Sequence, residues 1–288
     1  MRVARTPGEL ERRPRAVAIG TFDGVHRGHR AVLDAMLAAG GLPTAVTFHP
    51  HPRVVLGYQV DLLCTIERRL ELLEAAGVEE TLVVEFTPEI ATLEPAAFVG
   101  EYLKALGAEI VVAGEGFRFG RLSGGDLDTI RQLGIAAEAV PILDGVSSTR
   151  IRSLAQAGDV DQAAGLLGRP FELDGIVVTG DQRGGTLGFP TANLRVAPEL
   201  LVPAFGIYAG AVGDRRAAVS IGVNPHYGGS ERRIEAFLLD WQGDLYGNRL
   251  VLELWQRLRD ERVFATETEL VDQIAADVAQ TRAVQRPV

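Results

Sequence analysis

Residues 1–168 predict an α/β domain built on a parallel sheet, and residues 169–288 predict a small antiparallel β-barrel followed by a C-terminal helix. Three observations carry this reading. Apolar runs of strand length alternate with helix-like segments through the first half. At Gly168-Arg169-Pro170 the alternation stops. Beyond it, short strand-like runs follow one another between Gly, Pro, Asn and Asp clusters, until a helical stripe returns at the end.

In chain order, the first-half strands are expected at 16–19, 45–48, 81–86, 110–113 and 135–141. Thr65 can cap a helix that runs to Ala76 and stops at Gly77. Pro95 suits a first helical position, and Phe98, Val99, Tyr102, Leu103 and Leu106 form a stripe before Gly107. Two short helices follow, near 151–157 and 160–167. Barrel strands are expected at 171–179, 207–212, 216–221, 234–240 and 250–256. In the last segment Thr266 and Glu269 are spaced as a capping box ahead of Leu270, Ile274 and Val278.

Composition narrows the function classes. The chain has 288 residues and a net charge of −9, which argues against a nucleic-acid footprint. Cys64 is the only cysteine, so an internal disulfide and a thiolate metal cluster are excluded. No apolar run approaches membrane length and residues 1–15 lack an apolar core, so a cytoplasmic protein without a membrane partner is expected. Lys104 is the only lysine and lies far from any glycine loop. A P-loop or a protein-kinase fold cannot be built without one. If the protein handles nucleotides, their phosphates must be held by Arg, His, backbone N–H groups and a metal ion.

The stretch 20–30 reads Gly-Thr-Phe-Asp-Gly-Val-His-Arg-Gly-His-Arg, between a strand run and the start of an apolar-periodic helix. Helix N-termini favour anions, and Gly24 and Gly28 allow close approach. His26 and His29 can donate to a negatively charged group. A tight turn with two surface histidines, or a metal-ligand pair of His26 and His29 that lacks a third ligand at diagnostic spacing although His49 and His51 exist, are the other readings of these residues. At 146–152, Val-Ser-Ser-Thr-Arg-Ile-Arg offers hydroxyls and guanidinium groups at another helix start. Together the two segments resemble the signature of the HxGH nucleotidyltransferases, a Rossmann-like superfamily. The resemblance implies that His26 and His29 act at the transferring phosphoryl group. It also implies that Gly20, Phe22, Asp23, Gly28, Ser148, Thr149 and Arg152 hold the nucleotide.

Two further loops, Thr47-Phe48-His49-Pro50-His51-Pro52-Arg53 and Gly116-Phe117-Arg118-Phe119-Gly120, resemble one branch of that superfamily. The branch is the bacterial bifunctional riboflavin kinase/FMN adenylyltransferase, or FAD synthetase. The string 183–193, Arg-Gly-Gly-Thr-Leu-Gly-Phe-Pro-Thr-Ala-Asn, looks like its riboflavin kinase signature. Segments 220–225, 234–240 and 258–264 also resemble that kinase. The resemblance spans residues from about Ala16 to Val278 in family order. It implies an α/β Rossmann-like nucleotidyltransferase domain over 1–168 and a riboflavin kinase barrel over 169–288. Glu235 would be the base on the riboflavin 5′-hydroxyl. Gly184, Thr186, Gly188, Thr191 and Asn193 would hold ATP, with Thr191 and Asn193 as neutral oxygen ligands of Mg²⁺. Phe48, Pro50, Arg118, Phe119, Arg259 and Phe264 would meet flavin. The expected small-molecule partners are riboflavin, FMN, FAD and ATP, with no obligatory protein partner. Two positions depart from the family pattern: His49 replaces a usual acidic residue, and His226 a frequent threonine. A different adenylyl- or cytidylyltransferase whose barrel no longer phosphorylates, and a non-catalytic flavin or nucleotide sensor, are the competing readings.

Overall fold

In the computed structural model, which describes residues 1–180, 189–223 and 232–287, the first half forms a six-stranded sheet whose strand pairs are all parallel. Its strands are β1 (Arg2–Ala4), β2 (Arg15–Ile19), β3 (Leu42–His49), β4 (Glu80–Glu85), β5 (Ala108–Gly114) and β6 (Ala136–Val140), in the spatial order β1-β4-β3-β2-β5-β6. Five coincide with expected runs. β1 was not expected, because three residues carry no readable period and the strand exists through its pairing with β4.

The helices of this half are α1 (Arg27–Ala38), α2 (Pro52–Val55), α3 (Ile66–Ala75), α4 (Pro88–Ala91), α5 (Pro95–Phe98) and α6 (Leu127–Gln132). They cover both faces of the sheet. Successive residues of a strand point to opposite sides. Ala16 and Ala18 of β2 therefore meet Leu33 and Met36 of α1 and Leu73 of α3, while Val17 and Ile19 share a cluster with Phe98, Leu103 and Ile130. Leu33, Met36 and Leu73 are fully buried, each stabilising the fold by about 1.5–3 kcal/mol. Pro95 opens α5 as expected, but the stripe beyond it continues as π-helical turns over Val99–Lys104.

The chain runs from β2 outwards to β3 and β4, then returns to β5 on the other side of β2. Such a reversal opens a crevice beyond the strands' carboxyl ends, where ligands of open α/β sheets bind. Residues 20–26 leave β2 there and residues 115–120 leave β5.

Two helices lead into the barrel, α7 (Ser148–Ala157) and α8 (Val160–Leu167). α7 starts earlier than the expected 151 because the Ser147 hydroxyl caps it, accepting the Arg150 N–H at 3.2 Å. Six strands follow: β7 (Phe171–Val178), β8 (Ala192–Val196), β9 (Gly206–Val212), β10 (Arg215–Val223), β11 (Arg232–Leu238) and β12 (Arg249–Arg259). They close an antiparallel barrel in the order β10-β11-β8-β7-β12-β9. β8 was not expected, because its first residues belong to the Pro-Thr-Ala-Asn string and read as a ligand loop.

The last helix is α9 (Glu267–Ala283). Thr266 accepts the Glu269 N–H at 3.2 Å, and the Glu269 carboxylate accepts the Ala265 N–H at 3.1 Å. The apolar stripe Leu270, Ile274 and Val278 is only half-buried; the deepest positions are Asp277 and Thr281. Asp277 receives Arg259 Nε and Nη2 at 2.9 and 2.7 Å and Gln273 Nε2 at 2.9 Å. Asp277→Ala would strand both donors, and because Arg259 is only partly buried the expected cost is about 2–4 kcal/mol, read from urea unfolding.

Two compact units account for the chain: Met1–Val60 with Ile66–Val146, and Asp61–Thr65 with Ser147–Val288. Residues 61–65 are therefore inserted in the sequence of one unit but belong to the other. Leu62 donates to the Glu199 carbonyl at 2.7 Å and accepts from Leu201 at 2.8 Å. Leu63 lies in the barrel core, and Thr65 donates to the Asp174 carboxylate, which also holds Arg249.

Candidate active sites

The loop leaving β2 is tightly built. Phe22 and Val25 both adopt left-handed backbone, with φ of 50° and 37°, around Gly24 at 80°. Left-handed backbone is costly for a β-branched residue such as Val25, and such strain concentrates at ligand sites. Phe22, Asp23 and Val25 are buried. His26 ends the loop as the N-cap of α1, its Nδ1 accepting the His29 N–H at 3.2 Å. With Nδ1 as acceptor, the neutral ring carries its proton on Nε2, a donor pointing away from the cap. The His26 and His29 rings stack at 3.6 Å with 12° between planes, and Phe22 meets His29 edge-on at 5.4 Å. Gly28 makes this possible, since a Cβ there would lie 3.2 Å from the His26 ring.

The stack argues against the metal-pair reading. Parallel rings aim their in-plane lone pairs side by side rather than at one point. Among the described residues, no three His, Cys, Asp or Glu side chains gather as metal ligands. What the pair can do is donate hydrogen bonds to an anion seated at the α1 terminus.

The flavin positions expected in this unit fall at the carboxyl ends of β3 and β5. Phe48 and Phe119 are both buried, in an aromatic cluster that the motifs did not disclose. Phe98 lies 6.3 Å from Phe48, 5.6 Å from Phe119 and 4.9 Å from Tyr102, and Phe117 stacks on Phe119 at 5.7 Å. The available signal was positional, since Phe117 and Phe86 each stand just past a strand's carboxyl end. Pro50 is exposed after a cis peptide bond, and Arg118 pairs with Asp126 at 2.8 Å.

Ser148 and Thr149 form the first turn of α7, and Arg152 follows one turn later with Nε donating to the Asp61 carbonyl at 2.7 Å. These three lie in the second compact unit, and His26 and His29 in the first.

On the barrel, Glu235 occupies β11 between Ile234 and Ala236, which point into the core, so its side chain faces outwards. Register places it directly opposite Asn193 on one side and Ser220 on the other. The same cross-strand row continues to Ile207 and Arg259. Five residues scattered through the sequence thus share one line across the outer surface. Arg233 lies 3.3 Å from the Glu235 carboxylate. Arg259 is clamped by Asp277 and covers Phe264 at 5.9 Å. Glu261, absent from the expected site, presses its carboxylate against Gly222, where a Cβ would lie 1.9 Å from Oε1. Desolvation there pushes the Glu261 carboxyl above its ordinary pKa, with Arg259 opposing.

Thr191 and Asn193 line a cavity of about 360 Å³, walled also by Val178, Gly180, Trp241 and Tyr246. Gly180 passes so close that a Cβ would meet the Asn193 amide at 2.1 Å. The aromatic wall at 241–246 was not read from sequence, because its Gly-Asp content looks like an ordinary turn. Gly184, Thr186, Gly188 and His226 lie outside the described residues.

Comparison with known proteins adds the following. The FAD synthetase family model matches residues 9–153 and the riboflavin kinase family model matches residues 167–285. The bifunctional riboflavin kinase/FMN adenylyltransferase of Listeria monocytogenes is 38% identical, over 93% of this chain and 92% of its own. That of Pseudomonas fluorescens is 37% identical, over 96% and 95%. A solved structure from Streptococcus pneumoniae, described as a macrolide-efflux protein, matches with a TM-score of 0.87 at 32% identity, over 98% of this chain and 99% of that one. Among the described residues of this chain, no helix is long and apolar enough to cross a membrane.

Proposed function

The chain belongs to the bifunctional riboflavin kinase/FMN adenylyltransferase family, and from that we propose how its residues divide the two reactions. It is an enzyme with both activities, using riboflavin, FMN and ATP. Residues 169–288 carry phosphoryl transfer to riboflavin, and residues 1–168 carry adenylyl transfer to FMN.

The observation that carries the kinase assignment is the cross-strand pairing of Glu235 with Asn193. Directly opposed residues bring their Cβ atoms within about 4.5–5.5 Å. A base and a nucleotide ligand placed so can act on one reacting group. Glu235 takes the proton of the riboflavin 5′-hydroxyl as that oxygen attacks the γ-phosphorus of ATP. The residues present fit Mg²⁺, because Thr191 and Asn193 offer short neutral oxygens in a cavity with room for phosphate and water. When bound there, the ion supplies charge neutralisation on the phosphate oxygens. The walls at Val178, Trp241 and Tyr246 are suited to the adenine and ribose.

In adenylyl transfer the FMN phosphate attacks the α-phosphorus of ATP, and pyrophosphate leaves. An oxygen–phosphorus bond forms as another breaks, and no enzyme nucleophile is needed. The Nε2–H of His26 and the imidazole of His29 donate to the non-bridging oxygens, whose charge grows in the transition state. Ser148, Thr149 and Arg152 serve the triphosphate as hydroxyl and guanidinium donors, supported by their place in the first turns of α7. The Phe48, Phe98 and Phe119 cluster receives the flavin ring.

Incubating the full chain with riboflavin, ATP and Mg²⁺ and separating the flavins should show FMN first, then FAD, with one pyrophosphate released per FAD. FMN that accumulates without FAD would remove the adenylyl-transfer role. Unmodified riboflavin retained on the protein would remove both roles.

A further inference from the structure

Two arginines of the α/β unit are fully buried, each 1% exposed, and they stand at opposite ends of the sheet. Arg15, at the amino end of β2, is answered on every side. Its Nε and Nη2 donate to Glu80 Oε2 at 3.1 and 2.6 Å, and the carbonyls of Glu11, Arg13 and Leu106 take the rest. Arg69, on α3, reaches the carboxyl end of β3 and has no such partner. Its Nη1 donates to the Phe48 carbonyl at 3.0 Å and lies 3.4 Å from Thr47 Oγ1. Its Nε has no acceptor, and its partners among the described residues are uncharged oxygens.

A buried cation without a counter-charge costs several kcal/mol. Among the described residues only carbonyl and hydroxyl oxygens answer Arg69, and a bound anion would supply the missing counter-charge. The position says which kind. Thr47 passes the contact on by donating to the Thr21 carbonyl at 3.0 Å, at the root of the strained loop that carries Phe22, Val25 and His26. Arg69 thus lies behind the loop that meets the nucleotide.

We propose that Arg69 is a positioning residue for adenylyl transfer: it braces the 20–26 loop through Thr47, and its charge is balanced when a polyphosphate occupies that loop. The inference rests on the reading of residues 20–29 as the adenylyl-transfer site.

Inorganic pyrophosphate is the probe, as an inhibitor of FAD formation by the full chain. Arg69→Gln keeps hydrogen-bond donors and removes the charge. It should weaken pyrophosphate inhibition and raise the KM for ATP about ten-fold or more, with FMN formation within about two-fold of wild type. Arg69→Lys should restore inhibition to within about three-fold. Unchanged inhibition in Arg69→Gln overturns the proposal, and so does an equal fall of FMN and FAD formation with a lowered melting temperature. Should Arg69→Gln fail to fold, Arg69→Lys decides: near-native inhibition supports the charge role, and a ten-fold loss overturns it. A wild-type chain that makes FMN but no FAD would overturn the underlying site reading instead.

Discussion

His29→Ala is expected to lower FAD formation from FMN and ATP by about 10²–10³-fold while FMN formation from riboflavin stays within about two-fold. The change is small where folding is concerned. The His26 cap uses the backbone N–H of His29, which the alanine retains, so the start of α1 persists. What is lost is the imidazole stacked at 3.6 Å on His26 and held edge-on by Phe22. The two stacked imidazoles donate side by side to the oxygens on which charge grows. The measurement is flavin separation in two assays, one starting from riboflavin and one from FMN. A parallel fall in both, with the chain still folded, would sink the assignment of His29 to one reaction.

Glu235→Gln should do the reverse. The amide keeps the size and hydrogen-bonding reach of the side chain but cannot accept a proton at neutral pH. Loss of a positioned base costs about 10²–10⁴-fold, so FMN formation should nearly cease while supplied FMN still becomes FAD. Stability should barely move. The side chain is outside the barrel core, and its pair with Arg233 at 3.3 Å is partly exposed, which makes it worth about 0–1 kcal/mol. A variant that still phosphorylates riboflavin at the native rate would remove Glu235 from the chemistry.

The sequence disclosed most where local pattern and chemistry coincide. Parallel strands buried on both faces read as apolar runs, and β2 to β5 were found that way, while the more exposed edge strand β6 was legible from its apolar composition alone. His26 to His29 could be read because a glycine loop, two imidazoles and a helix start are contiguous. The missed features depend on residues far apart. β1 exists through its partner β4, and the row from Asn193 to Arg259 exists only through barrel register. The aromatic cluster draws on several strand ends, so no short window contains it. Arg69 sits in an ordinary amphipathic pattern beside Arg68, and nothing in that pattern distinguishes the buried arginine from its neighbour.

Residues 61–65 bear on how such a chain can be rearranged. The barrel owns a piece of sequence that is encoded well upstream of the rest of it. Any one cut between the halves takes the strands but leaves behind Leu63, the backbone pairing of Leu62, and the hydroxyl that Asp174 accepts. A single genetic crossover therefore cannot transplant this barrel whole. Exchange of one activity between relatives requires two junctions, or a compensating change at Asp174 and in the core around Leu63.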